Sequence, residues 1–267
     1  MEGPAGGRTL KSAKGNGMSG HSKWSQIKRQ KGVNDTRRGA MFTKVGREVT
    51  VAAREGGGDP DVNFRLRLAM QKAREVNMPQ DNIQRAITRG TGGDKEGGQL
   101  EELMYEGFGP SGVAVMVQVL TDNRNRAAAD VRNVFTRAGG NMGEGGSVAW
   151  MFDQKGLITV ELNGASAEEA EIAAIDAGAD DIQEADGVLD VYTDMAELDA
   201  VRRALDSRKL KIGSADLVMV PKTSMELDEK GATALAKLID RLEELDDVQR
   251  VFANAEISDE IMASISG

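Results

Sequence analysis

The sequence predicts an α+β fold, with an N-terminal helical domain followed by two ferredoxin-like α/β domains, one inserted into the other. Apolar residues recur at helical spacing from Ser22 to about Arg89, and the Gly-rich stretch 90–98 ends this pattern. Short β-branched runs then alternate with helical segments. The predicted element order over residues 157–220 is β-α-β-β-α-β, which is a complete ferredoxin-like unit.

The first helix is predicted over residues 35–54. Its apolar positions recur every three or four residues and form one stripe, namely Met41, Val45, Val49 and Ala52. Cations, among them Lys44 and Arg47, fall on the face beside that stripe. The pattern is therefore that of an amphipathic helix with a cationic outer face.

Two further helices complete the helical domain. Asp59 is predicted to cap the second helix, with Pro60 at its first helical position and its end near Glu75. The stretch NMPQDNIQRAI repeats the start signal of a polar residue and proline, and it predicts the third helix.

The remainder of the chain is predicted to alternate between strands and helices. Strands are expected over 112–120, 147–152, 157–162, 180–184, 187–193, 215–220 and 248–254. Helices are expected over 124–138, 167–177, 195–207 and 228–244. The pieces on either side of the ferredoxin-like unit are each too small to form a stable sheet, so we expect them to combine into one domain.

The predicted domain limits follow from this combination. Residues 1–20 are expected to be a flexible extension, and residues 21–98 a basic helical domain. Residues 99–154 and 221–258 are expected to form one discontinuous α+β domain. Residues 155–220 are expected to form the inserted ferredoxin-like domain.

The composition excludes several kinds of site. The chain has no cysteine and one histidine, which excludes disulfides, thiolate metal sites, cysteine nucleophiles and sites that need two imidazoles. No run approaches the roughly 18 apolar residues that a membrane-spanning helix needs. We expect a cytoplasmic, monomeric protein that is not an enzyme, with no catalytic residue, cofactor, metal or small-molecule substrate.

The charge is distributed unevenly along the chain. The formal net charge is −9, yet residues 21–90 contain 15 Lys and Arg against 7 Asp and Glu. Residues 91–267 contain 16 Lys and Arg against 35 Asp and Glu. An acidic body with a basic front indicates an anionic partner that binds at the front, and nucleic acid is the partner we expect.

The segment GHSKWSQIKRQKG, residues 20–32, concentrates this positive charge, so phosphates that bind there would release counterions. Trp24 can anchor the segment on the helical core or stack on a base, and the sequence leaves both interpretations open. No helix-turn-helix or aromatic RNA-recognition signature occurs in it, which favours contacts to backbone and shape. The predicted nucleic-acid-binding residues are His21, Lys23, Trp24, Lys28, Arg29, Lys31, Arg37, Arg38, Lys44 and Arg47.

Two motifs further along the chain are predicted to be mainly structural. In TDNRNRAAADVR, Asp122 or Asn123 can cap the helix that follows. The alternative is a secondary anion site or an interdomain contact formed by Arg124, Arg126 and Arg132. GGNMGEGG has the glycines of a dinucleotide loop, but it follows a helix and precedes a strand, so we expect a structural loop.

Four blocks in the same order closely resemble the YebC family. The blocks are MSGHSKWSQIKRQKGVNDTRRGAMFTKVGREVTVAAREGG, NFRLRLAMQKAREVNMPQDNIQRAI, YEGFGPSGVAVMVQVLTDNRNRAAADVRNVF and GSVAWMF. The resemblance covers Met18 to about Ile257. Residues 1–17 have no counterpart in the family pattern, which favours Met18 as the native start.

The resemblance implies a helical N-terminal domain and two α/β domains, one inserted into the other. It also implies a non-enzymatic regulator of gene expression, for which the family has two descriptions. One is a DNA-binding transcriptional regulator, and the other is a ribosome-associated translation factor that helps at difficult stretches such as consecutive prolines. We favour translation, because an acidic body with a compact basic front suits an RNA-lined cleft.

Overall fold

The computed structural model describes residues 35–92, 100–164, 166–185, 187–258, 260–261 and 264. Within these ranges the fold is α+β, with helices first and antiparallel sheets after them, which confirms the predicted class. The helices are α1 (Asp35–Gly56), α2 (Phe64–Glu75), α3 (Gln80–Gly90), α4 (Arg124–Arg137), α5 (Ala167–Ala177), α6 (Leu198–Ser207) and α7 (Glu229–Glu243). None of these described helices is long and apolar enough to cross a membrane.

The strands of the same ranges follow in chain order. They are β1 (Glu101–Phe108), β2 (Ala114–Thr121), β3 (Asn141–Met142), β4 (Phe152–Glu161), β5 (Asp181–Ala185), β6 (Val188–Thr193), β7 (Lys211–Pro221), β8 (Met225–Glu226), β9 (Val248–Ala253) and β10 (Ala255–Glu256). They form a sheet of order β3-β1-β2-β9, a second sheet of order β5-β6-β4-β7, and a short parallel pair of β8 and β10.

The helical lobe, defined here as α1 to α3, packs around its own apolar core. The stripe predicted on α1 faces inward, with Val45 and Val49 buried against Leu66 of α2 and Ile83 of α3. Burying each such side chain contributes about 1.5–3 kcal/mol of hydrophobic stabilisation. The polar residues between these positions face outward or toward the neighbouring lobe.

Helix α2 begins later than the sequence predicts. Residues 60–62 form a turn, and Asp59 accepts a hydrogen bond from the backbone N–H of Asp61 at 2.9 Å instead of capping a helix. Asn63 is the cap, since its side-chain oxygen accepts from the N–H of Leu66 at 3.0 Å. Its amide nitrogen also donates to the carbonyls of Ala52 and Gly57, at 2.8 and 2.7 Å. These three bonds make the buried Asn63 the better cap.

The first sheet carries α4 and α7 on one face. Alternate residues of β2, such as Val115 and Val117, point toward these helices and share a core with Phe135 and Leu238. Strand β9 pairs with β2, so the sheet joins strands that lie before and after the second sheet in the chain. The predicted pairing of the two flanking pieces is therefore seen in the strand order, while the domain limits themselves stay a prediction.

The second sheet has the strand order of a ferredoxin-like unit. Its chain order is β4-α5-β5-β6-α6-β7, and all three pairings are antiparallel. Helices α5 and α6 cover one face around Ile158, Val191 and Leu205. The opposite face shares a core with the first sheet, in which Tyr192 and Val218 pack with Met116 and Phe252. The helices thus lie outside two sheets that pack against each other.

The segment 147–152, predicted as a strand, is instead a turn and a 3₁₀-helix at Ala149–Met151, and β4 begins only at Phe152. The cause is Glu106 on β1, a strand that the sequence reasoning missed. Its buried carboxylate accepts backbone N–H bonds from Gly146, Val148 and Ala149 at 2.7–2.8 Å. Burial alone would raise the pKa of Glu106, but these bonds hold the pKa below its ordinary value.

Replacing the observed cap tests the start of α2. Asn63→Ala removes three hydrogen bonds of a buried side chain, so we expect the free energy of unfolding to fall by about 1–3 kcal/mol. Asp59→Ala is the matched control at the predicted cap and should change stability by less than about 0.5 kcal/mol. Urea unfolding measures both. Equal losses for the two variants would contradict the assignment of Asn63 as the cap.

Candidate nucleic-acid interface

Most of the predicted nucleic-acid-binding residues precede the described part of the chain. Those outside it are His21, Lys23, Trp24, Lys28, Arg29 and Lys31. Arg37 and Arg38 belong to the first turns of α1, but their side chains lie outside the description. The role of these eight residues stays a prediction, and the structure describes the scaffold that follows them directly.

Lys44 and Arg47 contact the body of the protein. The ammonium group of Lys44 donates to the carbonyl oxygen of Glu243, the last residue of α7. The carbonyls at the end of a helix lack intrahelical partners and carry partial negative charge, so a cation is favourable there. Arg47, one turn further along α1, donates to the carbonyl of Asp246 and pairs with the carboxylate of Asp247 at 2.7 Å.

The Asp247 carboxylate is the centre of a network that joins α1 to the first sheet. It accepts from Arg47, from the hydroxyl of Thr121 at 3.0 Å and from Arg126, whose Nη2 lies 2.9 Å away. The side chains of Arg47 and Asp247 are 17% and 9% exposed, so water screens this ion pair weakly, whereas Arg126 is 46% exposed and its pair with Asp247 is screened more. Arg126 also pairs with Asp122 at 2.8 Å and thereby lowers the pKa of that carboxyl.

The three arginines predicted as an anion site or interdomain contact therefore have different surroundings: one lies in the contact between lobes, and two are exposed. Arg126 joins the Asp247 network, which also holds Arg47 of the helical lobe. Arg124 and Arg132 are exposed on α4, and the Arg124 carbonyl accepts from the Tyr105 hydroxyl at 3.2 Å. Asn123 caps α4, because its side chain accepts from the backbone N–H of Arg126 at 3.0 Å. Anion binding by these arginines stays a prediction.

A second polar contact between the lobes lies on α2. Arg65 pairs with Glu55 of α1 and with Glu102 of β1, the latter at 2.9 Å. Gln118 of β2 donates to the same Glu102 at 2.6 Å. Burial would raise the pKa of Glu102, but Arg65 and Gln118 together hold that pKa below its ordinary value.

Apolar and cation–π contacts complete the docking of the helical lobe. Val51 of α1 packs with Leu100 and Leu120 in a small buried cluster. On the second sheet's helical layer, the guanidinium of Arg202 lies 5.2 Å from the ring centre of Phe64, the first residue of α2. The helical lobe is thus held against both sheets.

Sequence reasoning missed Asp247, Glu102 and Arg65. Asp247 follows a run of acidic residues at the end of α7, and nothing in its spacing marks it as the one that is buried. The cations left pointing outward on α2 and α3 include Arg74 and Arg85, both exposed. They contribute to the cationic surface of the helical lobe.

These features define a class: a three-lobed α+β protein in which a cationic helical lobe is fixed by ion pairs to a pair of packed sheets. Residues 22–93 match the family description "TACO1/YebC protein N-terminal domain". Residues 100–255 match "TACO1/YebC second and third domain". The chain belongs to the TACO1/YebC family.

Relatives and a solved structure agree with this membership. A protein of Chloroflexus aurantiacus is 53% identical over 92% of this chain and 98% of its own length. One of Rubrobacter xylanophilus is 52% identical over 94% of this chain and its whole length. Both are named "probable transcriptional regulatory protein". The crystal structure of a conserved hypothetical protein from Aquifex aeolicus is 46% identical, with a TM-score of 0.80 over 85% of this chain and 93% of that one.

Removing the charge of Asp247 tests the docking network. Asp247→Asn leaves Arg47 and Arg126 without their shared carboxylate, so we expect a loss of about 2–3 kcal/mol in the free energy of unfolding. A double-mutant cycle with Arg47→Ala should give a coupling energy of about 1 kcal/mol or more.

Asp246→Asn is the matched control for this prediction. Asp246 is the exposed neighbour, and Arg47 contacts its backbone carbonyl, which the substitution keeps. We expect its stability to change by less than about 0.5 kcal/mol. A coupling energy near zero between Asp247 and Arg47 would show that the network does not hold the lobes together.

Proposed function

We propose that this protein is a non-enzymatic, nucleic-acid-binding regulator of gene expression that acts on the ribosome as a translation factor. Its basic N-terminal domain would contact ribosomal RNA and help at difficult stretches such as consecutive prolines. The names of the relatives support the broader role of regulator. The observation that carries the proposal is the docking of α1, which continues directly from the basic segment, onto the body through Lys44 and Arg47.

This docking would fix the position of the helix that follows the basic segment in the chain. Since Lys44 and Arg47 are occupied by Glu243 and Asp247, the cations available to phosphates are those before them in the chain and those exposed on α2 and α3. Phosphate contacts position a protein on nucleic acid without reading its sequence. A helical lobe that cannot turn freely on the body would present these cations in one orientation.

The charge of the lobe built on the second sheet favours RNA that lines a cleft as the partner, rather than an extended nucleic-acid duplex. Residues 152–221 contain 16 Asp and Glu against 6 Lys and Arg. Such a lobe repels phosphate backbones, so only the basic segment and the helical lobe would enter a site lined with nucleic acid. A ribosomal cleft accommodates a cationic front and leaves the acidic lobe outside.

The rival function is a DNA-binding transcriptional regulator, the role that the relatives' names state for those proteins. One feature favours it specifically: a connection of four residues, 76–79, joins α2 to α3, and Gln84, Arg85 and Thr88 are exposed on α3. Helix-turn-helix proteins that place a helix in a DNA groove also join their two helices by a short turn. Base-reading by α3 is the corresponding hypothesis.

Crosslinking in cells, followed by sequencing of the bound nucleic acid, separates the two functions. Combined with sedimentation beside ribosomes at graded salt, it should recover ribosomal RNA and show ribosome association that weakens as salt rises. Crosslinks to promoter DNA with none to ribosomal RNA would overturn the translation proposal.

Neutralising the basic segment tests its role directly. Replacement of Lys23, Lys28, Arg29 and Lys31 by Ala removes up to four phosphate contacts. We expect the slope of log K against log salt to fall in magnitude by about 3. The matched control replaces four cations of the acidic second-sheet lobe, Arg203, Arg208, Lys209 and Lys211, and changes the net charge equally. An unchanged slope for the first variant, or equal changes for both, would show that the segment is not the contact.

A further inference from the structure

A cleft of about 700 Å³ lies where the helical lobe and the two sheets meet. Its volume is in the range of ligand-binding sites. Its walls come from α1 and α2, from β1, β2 and β9 of the first sheet, and from β7 with the start of α6 of the second. Of the predicted nucleic-acid-binding residues, Lys44 and Arg47 are the ones whose side chains the structure describes, and neither lines the cleft.

Two strand edges border the cleft. Among the described strands, β7 pairs with β4 alone and β9 pairs with β2 alone, so each ends its sheet. Residues 213–219 of β7 line the cleft without interruption, and residues 249, 250 and 252 of β9 line it from the other side. An open strand edge is a template for pairing with another extended chain, and proteins usually cover or interrupt it.

At Leu217, the backbone N–H and C=O of β7 point into the cleft. The carbonyl of Leu217 accepts from Arg250 of β9 at 3.1 Å, so it faces away from β4. In an antiparallel strand the N–H and C=O of one residue point to the same side, and the side alternates along the strand. The N–H of Leu217 therefore faces the cleft as well.

Two buried polar groups in the walls lack hydrogen bonds among the described residues. Both side-chain amide atoms of Gln249 are buried without a partner. The Oδ1 atom of Asp199 is also buried without a hydrogen bond, and Arg202 approaches it only to 3.8 Å. Leaving such groups unsatisfied costs about 1–3 kcal/mol each, so a ligand that supplies their partners would be favoured.

Apolar side chains and charge define the ligand further. Met104, Met195 and Leu217 are 38%, 49% and 41% exposed around the cleft. The three cations in the walls already pair with wall carboxylates: Arg65 with Glu102, Lys72 with Glu48, and Arg250 with Asp216. Glu75 adds negative charge, while Asp199 pairs with Arg203 at 2.9 Å through Oδ2 and leaves only its buried Oδ1 without a hydrogen bond. An anionic ligand such as RNA is therefore disfavoured here.

We propose that the cleft binds an extended peptide segment of a partner protein, with alternating basic and apolar side chains, as an added strand on β7. The peptide backbone pairs with the outward N–H of Leu217 and with the Gln249 amide, while the Leu217 carbonyl keeps its bond from Arg250. Its apolar side chains cover Met104, Met195 and Leu217, and a Lys or Arg reaches Asp199. This mode takes affinity from main-chain hydrogen bonds and specificity from side-chain pockets. It is independent of the nucleic-acid contact proposed for the basic segment.

The probe is a capped hexapeptide of alternating Lys and Val, titrated into the full ¹⁵N-labelled chain and followed by NMR. We expect saturable shifts of the Gln249 side-chain amide and of the Leu217 backbone N–H. A capped hexapeptide of alternating Glu and Val and a hexamer of oligouridylate are the comparisons, and neither should shift these signals. Equal binding of the Glu peptide, binding of the uridylate in the cleft, or shifts confined to other surfaces would overturn the proposal.

Two variants of Leu217 separate backbone pairing from side-chain contact. Leu217→Pro removes the outward N–H together with the leucine side chain, and proline is tolerated at an edge where the N–H does not join the sheet. We expect it to weaken peptide binding by about tenfold or more, against about threefold for Leu217→Ala, which keeps the N–H.

Substitutions in the opposite walls provide a second test that does not depend on the folding of Leu217→Pro. Gln249→Leu and Asp199→Asn should each weaken binding of the Lys–Val peptide by about threefold to tenfold. Nucleic-acid binding should stay unchanged in both. Undiminished peptide affinity in these two variants, or in a folded Leu217→Pro, would show that the peptide does not occupy the cleft as a strand.

Discussion

The carboxylate of Asp247 holds the helical lobe on the body, and the arrangement of the three lobes depends on it. It accepts from Thr121 at the end of β2, from Arg126 on α4 and from Arg47 on α1, and it is nearly buried. Lys44, on the same face of α1, binds the end of α7 beside it. Two anchor points one turn apart fix both the position of α1 and its rotation about its own axis. The contacts of α2 with both sheets follow from that placement.

This placement divides the cations of one helix into two groups. Lys44 and Arg47 stabilise the contact between lobes, while Arg37 and Arg38 belong to the part of α1 nearest the basic segment. The same docking closes one side of the cleft between the sheets, since Arg65 reaches Glu102 from α2. A nucleic-acid contact at the front and a peptide site in the cleft would therefore share one scaffold, although each has its own residues and its own charge.

The sequence predicted the elements whose signals are local. It did not predict features that depend on contacts with residues distant in the chain. The stripe on α1 and the β-α-β-β-α-β order were readable because periodicity and element order need no knowledge of tertiary contacts. Strand β1 was missed because EELMYEGF is rich in acidic residues, and the buried Glu106 is stable only because a loop some 40 residues away supplies three N–H groups. The contacts of Lys44 and Arg47 with the body could not be predicted, because their partners lie 199 residues away in the chain.

The most direct test of this account measures whether the helical lobe has one orientation on the body. Because the chain has no cysteine, nitroxide labels can be attached uniquely at Arg85→Cys on α3 and Lys237→Cys on α7, both exposed positions. Pulsed EPR should give a single narrow distance distribution that is unchanged at raised salt, since the pair of Arg47 with Asp247 is weakly screened. The distribution should broaden when Asp247→Asn is added. A broad or multiple distribution in the otherwise unchanged chain would contradict the claim that Asp247 fixes the helical lobe.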